Sequence, residues 1–175
     1  MVIDENKIRD RAAGAVAGAL IGDALGLGPH WYYDLEQMRR DYGPWIDGYT
    51  DPKPGRYHEG LKAGDLSQTG LITFELLQSV AENGGYNEAD FTRRLDEKFL
   101  RQMDGTSYDG PGGFTNQSIR ELYQARIKDG KPWGQTGDYA DTTEGAERAV
   151  VLAARYALSP AEGAGLIAQN IRLSQ

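Results

Sequence analysis

Cysteine is absent from this 175-residue chain, so disulfides and thiolate metal sites are excluded outright. Histidine is scarce: His30 and His58 are the only two. A zinc site would have to draw most of its ligands from carboxylates, an uncommon set. Positive charge is short as well. Nineteen lysines and arginines face 26 acids, for a net charge of -7, and no basic run offsets this, which disfavours nucleic acid as a partner. No apolar run reaches the roughly 20 residues a membrane helix needs; the run from Ala12 is interrupted by Asp23 and by glycines. A secretory leader is not expected, because Asp4, Glu5 and Asp10 lie where its basic segment would be. A P-loop and a His-Glu-x-x-His pair are missing, and Gly26-x-Gly28 has neither a preceding strand nor the third glycine of a dinucleotide fingerprint. Runs of alternating strand residues are missing too. One all-α domain over residues 1–175, working in the cytoplasm, is the expectation.

The stretch from Ile8 to Asp34 organises what is present. It opens as a helix in which Gly14, Gly18 and Gly22 recur every four positions. Glycine inside a helix costs up to about 1 kcal/mol against alanine, so such a stripe predicts tight packing against neighbouring helices. Asp23 ends the apolar run, and Gly26, Gly28 and Pro29 break the chain into the corner His30-Trp31-Tyr32-Tyr33-Asp34.

A short helix is expected over Asp34 to Arg40, with Asp34 as N-cap. Tyr42 to Gly64 is rich in glycine and proline and carries Trp45, Tyr49, Tyr57 and His58; loops of such length inside a domain are usually functional or mobile. Ser67 or Asp65 then caps a central helix running to about Asn83, ended by Gly84-Gly85. Asn87 starts the next helix, in which Phe91, Leu95, Phe99 and Met103 form the core stripe. After the irregular Asp104 to Phe114, Thr115 or Asn116 opens a helix with Ile119, Leu122, Tyr123 and Ile127 inward. Asp141 with Glu144 predicts a capping box, and Ser159-Pro160-Ala161-Glu162 another with proline in first position.

Polar residues at breaks between apolar helices are the candidates for chemistry: Asp23 and His30 at the first break, Asp65, Ser67, Gln68 and Thr69 at the start of the central helix. Helix starts attract anions through free N–H groups, and the Gly110-Pro-Gly-Gly loop leading to Thr115 has the composition of a phosphate cradle. Ordinary capping and a simple turn account for the same residues equally well. From the residues alone the chain is an α-helical domain with a polar, aromatic-lined cleft where helix ends meet.

Gly18-Ala-Leu-Ile-Gly-Asp-Ala-Leu-Gly26 strongly resembles the opening motif of the ADP-ribosylglycohydrolase family. Gly64-Asp-Leu-Ser-Gln-Thr-Gly70 falls where that family has Gly followed by Trp-Thr-Asp-Asp-Thr. Gly112 to Thr115 resembles its glycine-rich loop, and Arg148-Ala-Val-Val-Leu152 its Met-Arg-x-x-Pro-Leu segment, with Val151 in the proline position. The resemblance implies a compact multi-helix bundle and hydrolysis of a glycosidic bond to ADP-ribose. It also implies two Mg²⁺ ions, held by the Thr-Asp-Asp segment and by a later Asp-rich segment. Here the two family aspartates fall on Gln68 and Thr69, and the acid that follows the first motif falls on His30. Neutral ligands hold Mg²⁺ weakly, so no binuclear metal centre is expected.

The resemblance thus implies a hydrolase acting on a ribosyl or nucleotide-like bond at a metal-poor site. Asp23, His30 and Asp65 would be its catalytic residues, with His30 as general acid/base. Trp31, Tyr32, Ser67, Gln68, Thr69, Gly112, Gly113 and Thr115 would bind a small-molecule, ADP-ribose-like ligand. A family member that kept the pocket and lost catalysis, serving as a binding or scaffold protein, is the alternative. A purely structural protein, like the lens crystallins recruited from this family, is the third. The chain reads as an N-terminal portion of the bundle, so an apolar face is expected to be covered by a C-terminal half, a second chain or a homo-oligomer.

Overall fold

The computed structural model describes residues 4–103, 115–137, 139 and 142–175, and among them lie seven α-helices and no strand. Local chemistry sets most helix starts. Asp4 caps α1 (Glu5–Gly26), accepting the Lys7 N–H at 3.2 Å. Asp34 caps α2 (Leu35–Tyr42), accepting from the N–H groups of Glu36 at 2.9 Å and Gln37 at 3.1 Å. At α3 (Gln68–Asn83) the cap is Ser67, whose hydroxyl accepts from Gly70 N at 3.2 Å, and Gly84 ends the helix at φ 70°, a conformation glycine adopts without penalty. Asn87 caps α4 (Glu88–Arg94) and Asn116 caps α5 (Gln117–Tyr123). α6 (Glu144–Arg155) follows Thr143, and α7 (Pro160–Ile171) follows Ser159 with proline in first position.

Two of these starts differ from expectation. Asp141 lies outside the described residues, and Glu144 is the first residue of α6 rather than the third of a capping box. Ser159 occupies the cap position of α7 without its side chain making the cap bond.

α4 runs on as a π turn (Leu95–Phe99) and a 3₁₀ turn (Leu100–Gln102), for a reason visible in the residue spacing. Phe91, Leu95, Phe99 and Met103 recur at strict intervals of four. Each step oversteps a 3.6-residue turn by about 40°, so the stripe would wander off the core in a pure α-helix. A wider π turn takes back part of that drift, and all four side chains are at most 2 % exposed. The same device at the end of α5, the π turn Gln124–Lys128, has the opposite consequence for Ile127. Ile119 and Leu122 are buried as expected, but Ala125 takes the inward place and Ile127 is 42 % exposed.

The core joins α3, α4 with its extension, α5, α6 and Leu173. α6 lies at the middle, against α3, α7 and α1. Polar ties fix the angles between helices. Arg94, nearly buried, meets Asp90 at 2.7 Å, Glu82, and Glu75 at 3.7 Å, locking α4 to α3. Asp96 accepts both Nε (2.8 Å) and a terminal nitrogen (2.7 Å) of Arg126, and the Trp133 indole N–H at 3.0 Å. Arg148, buried in α6, donates to the Asn170 side chain at 2.7 Å and to the Asn170 carbonyl at 2.8 Å. That carbonyl lies in the last turn of α7, where acceptors lack helical partners and a cation is favoured. Burial brings the Arg148 pKa down to about 10, so it stays charged at neutral pH.

α1 behaves differently. Of its 22 residues, Val16 and Ala24 are the buried ones, and Ile21 is 53 % exposed. A Cβ added at Gly14, Gly18 or Gly22 would meet nothing within 4 Å. The glycine stripe does not pack against another described helix, contrary to the expectation from its spacing, although α6 and α3 both meet α1. Among the described residues no helix is long and apolar enough to cross a membrane.

Candidate functional site

Where the end of α1 meets the starts of α3, α5 and α6, a cavity of about 790 Å³ opens. Asp23 builds its floor. Its carboxylate accepts the Ser67 N–H at 2.8 Å and the Ser67 hydroxyl, so α1 and α3 are pinned together by the residue that caps α3. The joint is tight: a Cβ on Gly70 would stand 2.7 Å from the Asp23 carboxyl carbon. Gln68, 2 % exposed, accepts the Asn116 N–H at 3.4 Å and thereby ties the start of α3 to that of α5. Glu144, also buried, accepts from the Ser118 hydroxyl at 2.9 Å and ties α6 to α5. Glu147 takes the Thr143 hydroxyl on the rim.

The opposite wall comes from the corner after α1 and from the long loop. Tyr42 anchors the loop, donating from its hydroxyl to the carbonyls of Gly28 at 2.8 Å and Asp51 at 3.0 Å. The approach is so close that a Cβ on Gly28 would lie 2.7 Å from the Thr50 carbonyl oxygen. The fold-back sets His58 beside His30, ring centres 4.8 Å apart, with Tyr57 within 5.1 Å of both. Trp31 stands perpendicular to Tyr57 at 4.7 Å.

Crowding decides the charge of both histidines. Burial drives the His58 pKa down to about 4, with His30 adding a little. Burial also holds His30 below its ordinary value, against the pull of Asp23 and Glu147. Both rings are therefore neutral at pH 7. Burial likewise raises the Tyr57 phenol, with the Arg120 cation opposing and Glu144 assisting.

Of the residues singled out in the sequence, Asp23, His30, Trp31, Ser67, Gln68, Thr69 and Thr115 line this cavity. Two stand elsewhere. Asp65 is exposed and its carboxylate accepts the Lys62 N–H at 2.8 Å; it closes a turn three residues back instead of capping α3. Tyr32 turns away and donates to Asp41 at 2.7 Å, while the Arg56 guanidinium covers its ring at 3.7 Å. Gly112 and Gly113 lie outside the described residues. Tyr57, His58, Arg120, Glu144 and Glu147 join the site without having been assigned to it. For the histidines a signal existed: a chain with two of them, one on each irregular segment, had few other neutral bases to bring together.

The donor set does not suit the two magnesium ions that the resemblance implies. Mg²⁺ prefers charged oxygen ligands. At the start of α3 it would find the amide of Gln68, engaged with Asn116, and the hydroxyl of Thr69. Asp23, the nearest carboxylate, has both oxygens on Ser67. Among the described residues no group of three or more His, Asp or Glu side chains is disposed to hold a metal.

Crystallin J1A of Tripedalia cystophora is 29% identical over 118 residues, covering 62% of this chain and 33% of the crystallin. Crystallin J1B of the same animal is 29% identical over 114 residues, with the same two shares. The match thus spans about a third of the length of these relatives. The family model for ADP-ribosylglycohydrolase matches residues 4–175. A helical bundle carrying Gly18 to Gly26 at the mouth of a polar cavity, matched over nearly its whole length, belongs to the ADP-ribosylglycohydrolase family.

Proposed function

We propose that the cavity takes a ribosyl or nucleotide-like ligand and that its glycosidic bond is hydrolysed by side chains rather than by a metal pair. The observation that carries this is the facing of a neutral His30 by the carboxylates of Asp23, Glu144 and Glu147 in one cavity. Glycoside hydrolysis generally needs one group to activate water and another to protonate the leaving oxygen or nitrogen. A ring unprotonated at pH 7 suits the first task, and the fields of Asp23 and Glu147 stabilise the imidazolium that forms. Asp23 acts as a positioning residue, since Ser67 holds both its oxygens. Glu144, the third acid of the cavity, is the group left to protonate the leaving atom. Asp65, outside the cavity, has no part in this scheme.

A second reading, a member that binds ligand without turnover, draws on the neutral pair Gln68 and Thr69 and on the crystallin names of two relatives. Titration with ADP-ribose, with Mg²⁺ and with chelator, followed by an assay for glycosidic cleavage, separates the two. Turnover unaffected by chelator and reduced about 10²–10⁴-fold in His30→Ala supports the side-chain mechanism. Binding without turnover supports the second reading. Turnover that chelator abolishes refutes the metal-poor site.

The open face of α1 supports a further part of the proposal. A C-terminal half, a second chain or another copy covers Ile21, Leu25 and the bare glycines Gly14 and Gly18. A cytoplasmic setting, suggested by the cysteine-free acidic composition, belongs with it.

A further inference from the structure

The corner that carries His30 lies between helices: α1 ends at Gly26 and α2 begins at Leu35. Groups outside the corner therefore hold it, one on either side of His30. The Tyr42 hydroxyl donates to the Gly28 carbonyl at 2.8 Å. A terminal nitrogen of Arg56 donates to the Trp31 carbonyl at 2.7 Å. The second hold falls on the step that needs it more. Trp31 has φ 62°, the only positive value outside glycine among the described residues. For a bulky side chain that backbone is unfavourable and persists only where the surroundings enforce it.

Arg56 is committed to this contact. Its guanidinium lies over the Tyr32 ring, 3.7 Å from the centre, and Tyr32 is fixed in turn by its bond to Asp41. Among the described residues Arg56 makes no ion pair; Glu59, three residues on, accepts the Gly55 N–H at 2.9 Å. Arg56 Nε is buried without an acceptor, so the placement loses hydrogen bonding and depends on the other two contacts. Nor does Arg56 line the main cavity. It borders a smaller space of about 290 Å³ that shares Trp31 and Tyr57 with it. Two residues beyond Arg56 stands His58, against His30. The groups that face His30 are Asp23 of α1, Glu147 of α6, and Tyr57 and His58 of the loop.

We propose that Arg56 is a positioning residue for His30. It clamps the Trp31 carbonyl to the Tyr32 ring, and so fixes the left-handed step that keeps the imidazole in the cavity beside His58. Through this one side chain the long loop, which carries Tyr57 and His58, is locked to the corner in a single register. The use of the clamp in catalysis rests on the reading of His30 given above; the clamp itself rests on geometry.

Nuclear magnetic resonance titration of the two histidines, with a glycosidic turnover assay beside it, tests the assignment in Arg56→Ala and Arg56→Lys. In both, the His30 pKa is expected to rise from the lowered value that burial imposes towards the ordinary 6.5, as the freed corner gives the ring to water. Lysine should not restore the parent value, because it keeps the charge without the planar stack on Tyr32. It also carries the test should the alanine variant fail to fold. Turnover should show kcat reduced by up to about 100-fold in both variants, with KM little changed because Arg56 does not line the main cavity. A His30 that titrates as in the parent in both variants makes Arg56 a stabiliser of the loop only and overturns the proposal. A lysine variant with the parent's His30 pKa assigns the effect to charge and overturns it as well. If the parent shows no turnover, or His30→Ala turns over as fast as the parent, the earlier reading of His30 falls, while the titration still decides the clamp.

Discussion

α1 and α3 are both apolar helices that end or begin at the same cavity, yet they are buried to opposite extents. α3 sends Ile72, Leu76 and Val80 into the core at no more than 5 % exposure, whereas α1 leaves Ile21 and Leu25 in solvent and its glycines bare. The difference lies in side-chain volume. α3 carries branched residues on a helical period and fills the space between α4 and α6. α1 offers alanine and glycine, which fill little space, and buries only Val16 and Ala24 where it meets α6 and α3. A small-residue helix permits close approach; it does not bring a neighbour to it.

The contrast is sharpest in the core. Truncating Phe91 or Leu76, both 0 % exposed, is expected to cost about 3–5 kcal/mol, read as a loss of unfolding free energy in urea. Acid probes the cavity side of α1. His58 is neutral when folded, with its pKa at about 4 against 6.5, so the unfolded chain takes up the proton first. Its contribution to stability is complete above pH 6.5 and disappears as the pH falls towards 4, a loss of up to about 3 kcal/mol. Urea titrations across that range should show the loss in the parent and a flatter profile in His58→Phe.

Smaller effects decide whether α1 is bare in solution. Gly70→Ala forces a methyl against Asp23 and is expected to destabilise by about 1–3 kcal/mol, because the α1–α3 joint has no slack. Gly18→Ala meets open space and should instead stabilise by about 0.5–1 kcal/mol. Ile21→Ala should change stability by no more than about 0.5 kcal/mol. A Gly18→Ala protein that is less stable, or that loses a concentration-dependent association seen by sedimentation in the parent, would show that a partner or second copy sits on this face and would erase the contrast.

Much of the helical layout was legible because it is local. Ser67, Asn87 and Asp34 cap helices with their own side chains at short range, and Gly84 ends one by its freedom at positive φ. Ile127 was misplaced because the π turn that contains it depends on packing, which no period of the sequence announces. Asp65 looked like a site residue because it precedes Ser67 in the family motif, yet a turn back to Lys62 consumes it. Glu144, read only as a capping residue, and Arg120 were not assigned to the site, since each lies far along the chain from Asp23 and reaches the cavity only when α5 and α6 dock.

The order of residues by itself determined that this chain is helical, where several helices begin, that thiol chemistry is impossible, and that Gly18 to Gly26 carries a family motif. Those properties depend on neighbours a few positions apart. Tertiary structure alone decided that His58 stands against His30, that Arg148 serves the last turn of α7, that Trp31 divides two cavities and that the glycine stripe is uncovered. Each of these depends on groups distant in sequence, whose meeting is set by how side-chain volumes fill the space between helices.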